Sequence, residues 1–182
     1  MQRCAILVDA GYYCVAAARL ITGMRSRRAV RLDLPVAADT LASLGTSLAD
    51  PARLLRTYWY DATPSGLPSS WHQSLANHAD VKLRLGQLRG KPARQKGVDT
   101  LMVMDLVVLA LEHSISDAVL VAGDEDLRQA VAYAQQRGVR VHLVVAQDCP
   151  ASWTLRHEAD TVTTLMAEHF APFSSPARDR NT

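Results

Sequence analysis

Cysteine is scarce in this 182-residue chain. Cys4, Cys14 and Cys149 are an odd number without Cys-x-x-Cys spacing, which speaks against a disulfide framework or a cysteine zinc site and for reduced thiols used in packing. No apolar run approaches the roughly 20 residues that cross a bilayer. The N-terminus, Met1-Gln2-Arg3 before five apolar residues, is too short for a secretory signal, so the expected location is cytoplasmic, with no membrane partner. A dominant charge is also missing: the net charge of +2 excludes a polybasic tail and an acidic disordered chain. Repeats, a glycine-rich dinucleotide fingerprint and a P-loop are absent, and the six histidines show no ligand spacing, which favours surface or core roles for them. A chain of this length suits one domain, read as residues 1–172, with a flexible tail at 173–182.

The near-neutral total conceals a sharp asymmetry. Residues 82–96 carry Lys82, Arg84, Arg89, Lys91, Arg94 and Lys96 and no acid. Residues 97–127 carry Asp99, Asp105, Glu112, Asp117, Asp124, Glu125 and Asp126 and neither Lys nor Arg. A basic segment therefore runs directly into an acidic one.

Short apolar runs at 4–8, 54–60, 118–122, 139–145 and 161–165 predict strands, and 81–85 alternates as a half-exposed strand does. Helices are predicted over 10–21, 35–47, from Ser69 or Ser70 to 78, 99–113, 124–137 and 151–157, with basic loops at 25–31 and 86–97. Strands alternating with helices, most of them continuously apolar, imply a mostly parallel sheet covered on both faces, a three-layer α/β/α fold. In such sheets ligands gather beyond the carboxyl ends of the strands, where strand order reverses.

Two strand ends carry carboxylates: Asp9 after the first, and Gly123-Asp124-Glu125-Asp126 after the run at 118–122. With Asp99 entering from the start of its helix, these acids would share one crevice. Unit charges about 4 Å apart repel by roughly 4 kcal/mol at an effective dielectric near 20, so the cluster calls for protons or a cation. Carboxylates without His or Cys are hard oxygen donors that select Mg²⁺ or Mn²⁺, and Mg²⁺ combines a few carboxylates with waters and substrate phosphates. Basic residues beside such a site suit a phosphate polymer, and Tyr58, Trp59 and Tyr60 offer stacking surfaces or core packing. Each acid also has a plainer use: Asp124, Asp126 or Asp99 as a helix cap, and Asp105 with Glu112 as a solvated stripe, since Asp105 lies about 120° around the helix from Asp99.

Ala5-Ile-Leu-Val-Asp9, Tyr58-Trp-Tyr-Asp-Ala62, Lys96-Gly-Val-Asp99 with Asp105 six residues on, Val119-Leu-Val-Ala-Gly-Asp124-Glu-Asp126 and a final element from Ser152 to Leu165 occur in that order. In this the chain resembles the NYN-domain proteins of the LabA/DUF88 group, within the PIN-like nuclease superfamily, over about residues 4–165. The resemblance implies a PIN-like fold and a ribonuclease using Mg²⁺ or Mn²⁺. Metal-activated water would cleave RNA, single-stranded or structured, to a 5′-phosphate and a 3′-hydroxyl. It implies Asp9, Asp99, Asp124 and Asp126 as the catalytic, metal-holding set, with Asp105 a weaker fifth metal residue. Lys96, Arg94, Lys91 and Tyr12 would be the RNA contacts. Many relatives have Asn where this chain has Tyr12. A homodimer is expected by analogy alone.

Two other readings compete. A catalytically weak or inactive NYN domain could serve as an RNA-binding or regulatory module, although a pure binder of phosphates gains nothing from four clustered acids. A haloacid-dehalogenase-like phosphatase would need a second Asp two residues after Asp9, and that residue is Gly11.

Overall fold

The structure, a computed structural model, describes residues 2–89 and 94–177. Arg3–Asp9 (β1), Arg53–Thr63 (β3), Val81–Arg89 (β4), Asp117–Val121 (β6), Arg140–Ala146 (β7) and Thr161–Leu165 (β8) form the parallel part of a seven-stranded sheet. Arg94–Lys96 (β5) adds an antiparallel edge, giving the order β5-β4-β3-β1-β6-β7-β8. Buried on both faces, β1 needs no alternation, and Cys4, Ala5, Ile6, Leu7 and Val8 are all inaccessible to solvent.

Each face is covered by its own helices. Ala10–Thr22 (α1), Leu34–Leu48 (α2) and Ser70–Ala76 (α3) pack with Ile6, Val8, Trp59 and Val121 on one side. Val98–Leu111 (α4), Arg128–Gln136 (α5) and Trp153–Glu158 (α6) pack with Leu7, Tyr60, Leu120 and Leu143 on the other. The expected three-layer α/β/α architecture is therefore the one found. Among the described residues no helix is long and apolar enough to cross a membrane.

Four local expectations are corrected. The basic loop at 25–31 contains a 3-10 turn, Arg27–Ala29, and a short strand, Val30–Leu32 (β2). The loop expected at 86–97 instead continues β4 to Arg89 and folds back through β5, pairing Gln87 with Lys96 and Arg89 with Arg94. The helix expected at 124–137 starts as a 3-10 turn, Glu125–Leu127, because the Asp124 side chain accepts from the Asp126 N–H (3.1 Å) and caps the tighter turn.

The fourth is the tail. Ala167–Phe170 (α7) and a 3-10 turn through Phe173 lead into Ser174–Pro176 (β9), which pairs antiparallel with β2. Phe170 is fully buried against Tyr13, and Phe173 is buried beside it. Burial of two aromatic rings outweighs the loop-like composition around them. Of the tail, residues 178–182 lie outside the described residues.

Candidate functional site

From β1 the chain moves outward to β3 and β4, returns, and then runs through β6, β7 and β8 on the opposite side. The switch point lies between the carboxyl ends of β1 and β6, the place where an open α/β sheet leaves a crevice. A cavity of about 580 Å³ opens there, lined by Asp9, Tyr12, Arg27, Gly123 and Asp124 among others.

Asp9 ends β1 and caps α1, its Oδ1 accepting from the Tyr12 N–H at 3.1 Å. Burial pushes its carboxyl up to about 6; hydrogen bonds from Tyr12 and Gly11 oppose this, and the charge of Asp99 adds to it. Asp99 sits in the first turn of α4, whose N-cap Gly97 has φ 85°, a conformation that side chains with a Cβ rarely adopt. Burial raises the Asp99 carboxyl too, reinforced by Asp124 and Asp126. The four predicted acids are thus electrostatic neighbours. Among the residues whose side chains are described, none of the four forms an ion pair with Lys or Arg.

Their neighbour Glu125 is different: the hydroxyls of Ser152 and Thr154 and the Nε of Arg128 (2.9 Å) hold it at the α6 side. Among the described residues no three His, Cys, Asp or Glu side chains come together as a ready-made metal cluster. The donor set still fits a hard divalent cation. Every donor is a carboxylate oxygen, and Mg²⁺ is ordinarily held by one or two carboxylates, several waters and a substrate phosphate rather than a closed protein cage.

Asp105 belongs elsewhere. Arg84 grips it through Nε to Oδ2 (2.9 Å) and Nη2 to Oδ1 (3.0 Å), and the Tyr60 hydroxyl donates to Oδ2 (2.9 Å). That network ties Asp105 to β3 and β4, about 120° around α4 from Asp99. Tyr12 is also committed: its hydroxyl accepts from the Ala146 N–H (3.0 Å) at the end of β7, and its ring lies against Gly123. A Cβ on Gly123 would come within 2.7 Å of both the Tyr12 ring and the Pro150 carbonyl, so glycine is needed between β6 and Asp124. Arg94 and Lys96 stand in β5, and Lys91 lies outside the described residues.

Sequence reasoning assigned no role to the residues bracing the crevice from the β3 side. Asp61, 1% exposed, receives Arg27 through two bonds of 2.9 and 2.7 Å. It also accepts from His72 Nε2 (3.0 Å), while His72 Nδ1 accepts from the Ser69 N–H. Arg27 stacks over Trp71 at 4.8 Å. Burial alone would raise the Asp61 carboxyl, but the hydrogen bonds from Arg27 and His72 hold it at about 2. The signal in the sequence was an aspartate inside an aromatic strand, which cannot be buried without partners.

An α/β/α domain whose switch-point crevice is lined by aspartates without an ion pair among the described side chains has a PIN-like, nuclease-like architecture. The NYN domain family model matches residues 3–166, nearly the whole chain, and the protein belongs to that family. Uncharacterized protein y4oD of Sinorhizobium fredii is 49% identical over 92 residues, which cover 50% of this chain and 42% of that protein. The match thus spans less than half of that relative's length. A crystal structure of a protein of unknown function, VPA0982 from Vibrio parahaemolyticus, superposes with a TM-score of 0.61 at 19% identity, covering 93% of this chain and 95% of that one. At that identity the likeness speaks for the fold.

Proposed function

We propose that this NYN domain is a metal-dependent ribonuclease, with Asp9, Asp99, Asp124 and Asp126 holding Mg²⁺ or Mn²⁺. The observation that carries this is the gathering of four aspartates without a described cationic partner at the switch point, two of them raised by burial and mutual repulsion. A bound divalent cation would supply a low-pKa water and stabilise charge developing on the phosphate. In the hydrolysis a water oxygen bonds to phosphorus, the P–O3′ bond breaks, and the 3′ oxygen leaves with a proton. Asp124 and Asp126, both exposed, would hold the cation on the side open to the RNA phosphate. Asp9, deeper in the crevice and fixed by the Tyr12 N–H, holds its carboxylate in one direction. The Arg27–Asp61 pair keeps the β3 wall in place without presenting a free acid.

Purified protein is expected to cleave single-stranded or structured RNA with Mn²⁺ and to stop on chelation. Asp124→Asn is expected to lower the rate by about 100-fold or more. RNA left intact with both Mn²⁺ and Mg²⁺, or an Asp124→Asn variant as fast as wild type, would sink the reading and leave a binding module.

A further inference from the structure

Beside the aspartate crevice, and sharing Gly11, Tyr12 and Val15 with it, lies a second cavity of about 360 Å³. Its remaining wall holds Arg19 and Arg25, with Cys149 and Pro150 from the loop after β7. Gly11, Val15 and Arg19 recur every four residues of α1, so one helix face runs from the first cavity into the second. From Asp9 to Arg19 this is about 15 Å at 1.5 Å per residue.

No ion pair among the described residues neutralises the cavity's charge. Neither Arg19 nor Arg25 forms an ion pair with any described residue. Arg19 Nη1 is buried with no hydrogen-bond partner. A guanidinium donor withdrawn from water without an acceptor is unfavourable, so a ligand that supplies one is favoured there. Burial pushes the Cys149 thiol up while both arginines pull it down, which places the two cations around the same point. Only the charge of Asp148 opposes them at that thiol. The Tyr12, Val15, Ala16 and Pro150 surfaces make the rest of the lining largely apolar.

We propose that this cavity is a phosphate subsite for the RNA strand: Arg19 and Arg25 bind a phosphate flanking the scissile one, and the apolar wall receives the adjoining nucleotide. The subsite rests on the ribonuclease reading for its ligand but not for its measurement. Guanidinium pairs suit phosphate oxygens through charge-assisted, bidentate bonds. The helix face then sets the direction in which the strand leaves the crevice.

The test is fluorescence anisotropy of a labelled single-stranded RNA dodecamer with the full chain in EDTA, across a salt series. The double variant Arg19→Ala with Arg25→Ala is expected to bind about tenfold more weakly. Its slope of log affinity against log salt should be shallower by about 0.7 for each phosphate that is no longer neutralised. Arg25→Ala alone alters an exposed position and guards against a folding artefact, and replacing both arginines by lysine should restore part of the affinity. With Mn²⁺ the alanine pair should raise KM and leave kcat near wild type.

Equal affinity and salt slope in wild type and variants would overturn the subsite while leaving cleavage untouched. Absence of cleavage with an intact binding difference would overturn the nuclease reading alone. Wild type that binds no RNA overturns both. If the variants lose a melting-temperature rise produced by inorganic phosphate yet bind RNA normally, the cavity serves free phosphate and the strand proposal falls.

Discussion

Two sets of aspartates lie around the same sheet, on its strands and on the elements that cover it, and differ in almost everything but chemistry. Asp61 and Asp105 each lie in the grip of an arginine, bidentate in both cases, with a His72 nitrogen or the Tyr60 hydroxyl completing the shell. Asp9, Asp99, Asp124 and Asp126 lie near one another around the switch point, with backbone N–H groups as the partners described for Asp9 and Asp124. Asp61 is held at about 2 and Asp9 is pushed up to about 6. A satisfied carboxylate is part of the scaffold, whereas an unsatisfied one is kept at some cost to stability, and carboxyls perturbed in this way concentrate at functional sites.

The largest expected effect comes from breaking the satisfied set. Asp61→Ala leaves Arg27 and the buried His72 without their acceptor, and removing one partner of a buried pair costs about 3–5 kcal/mol. With the Arg27 side chain 33% exposed, the lower end is expected, measured by urea unfolding at pH 7. The pH dependence has a definite sign. The Asp61 carboxyl is depressed from an unfolded value near 3.8, so its contribution, about 2 kcal/mol, is present above pH 4 and fades as pH falls toward 2. Wild type should show this acid-limb slope and Asp61→Ala should lack it.

The unsatisfied set should respond in the opposite direction. Because the folded Asp9 carboxyl lies near 6, above its unfolded value, stability is lost as pH rises from about 4 to about 6, and the penalty persists at higher pH. Asp9→Asn keeps the oxygen that accepts the Tyr12 N–H and removes the charge. In EDTA at pH 8 it should therefore gain about 2 kcal/mol, shrinking to nothing at pH 4. Mn²⁺ should raise the melting temperature of wild type and not that of the variant. A variant no more stable than wild type at pH 8 would erase the contrast between the two sets.

Much of this contrast was legible in the residues, and what was not has physical reasons. Asp9 and Asp124 each follow an unbroken apolar run, so strand and acid identify each other locally. The arginine partners of Asp61 and Asp105 come from 34 and 21 residues away, and no local pattern encodes such pairings. The hairpin of β4 and β5 escaped for the same reason: Gly86 and the basic run read as loop, while the ladder that makes them strands is set by tertiary pairing. At the C-terminal end a signal was present. The chain has only two phenylalanines, Phe170 and Phe173; both are buried in the core, and Phe173 lies where composition suggested the start of a tail.

The smallest effect bears on the boundary between the two sets. Asp105 sits six residues from Asp99 on the same helix, and the family resemblance offered it as a fifth metal residue. Its ion pair is partly solvated, with the Arg84 side chain 36% and the Asp105 side chain 19% exposed, so Asp105→Asn should cost only about 1 kcal/mol. The amide oxygen can still accept from Tyr60, which keeps α4 against β3 and Asp99 at the crevice. Mn²⁺-dependent cleavage by Asp105→Asn should stay within about threefold of wild type, whereas Asp99→Asn should lose it. If the Asp105 variant loses cleavage as fully as the Asp99 variant while remaining folded, Arg84 is not a permanent partner. Asp105 then exchanges from the satisfied set to the unsatisfied one when the cation and RNA arrive.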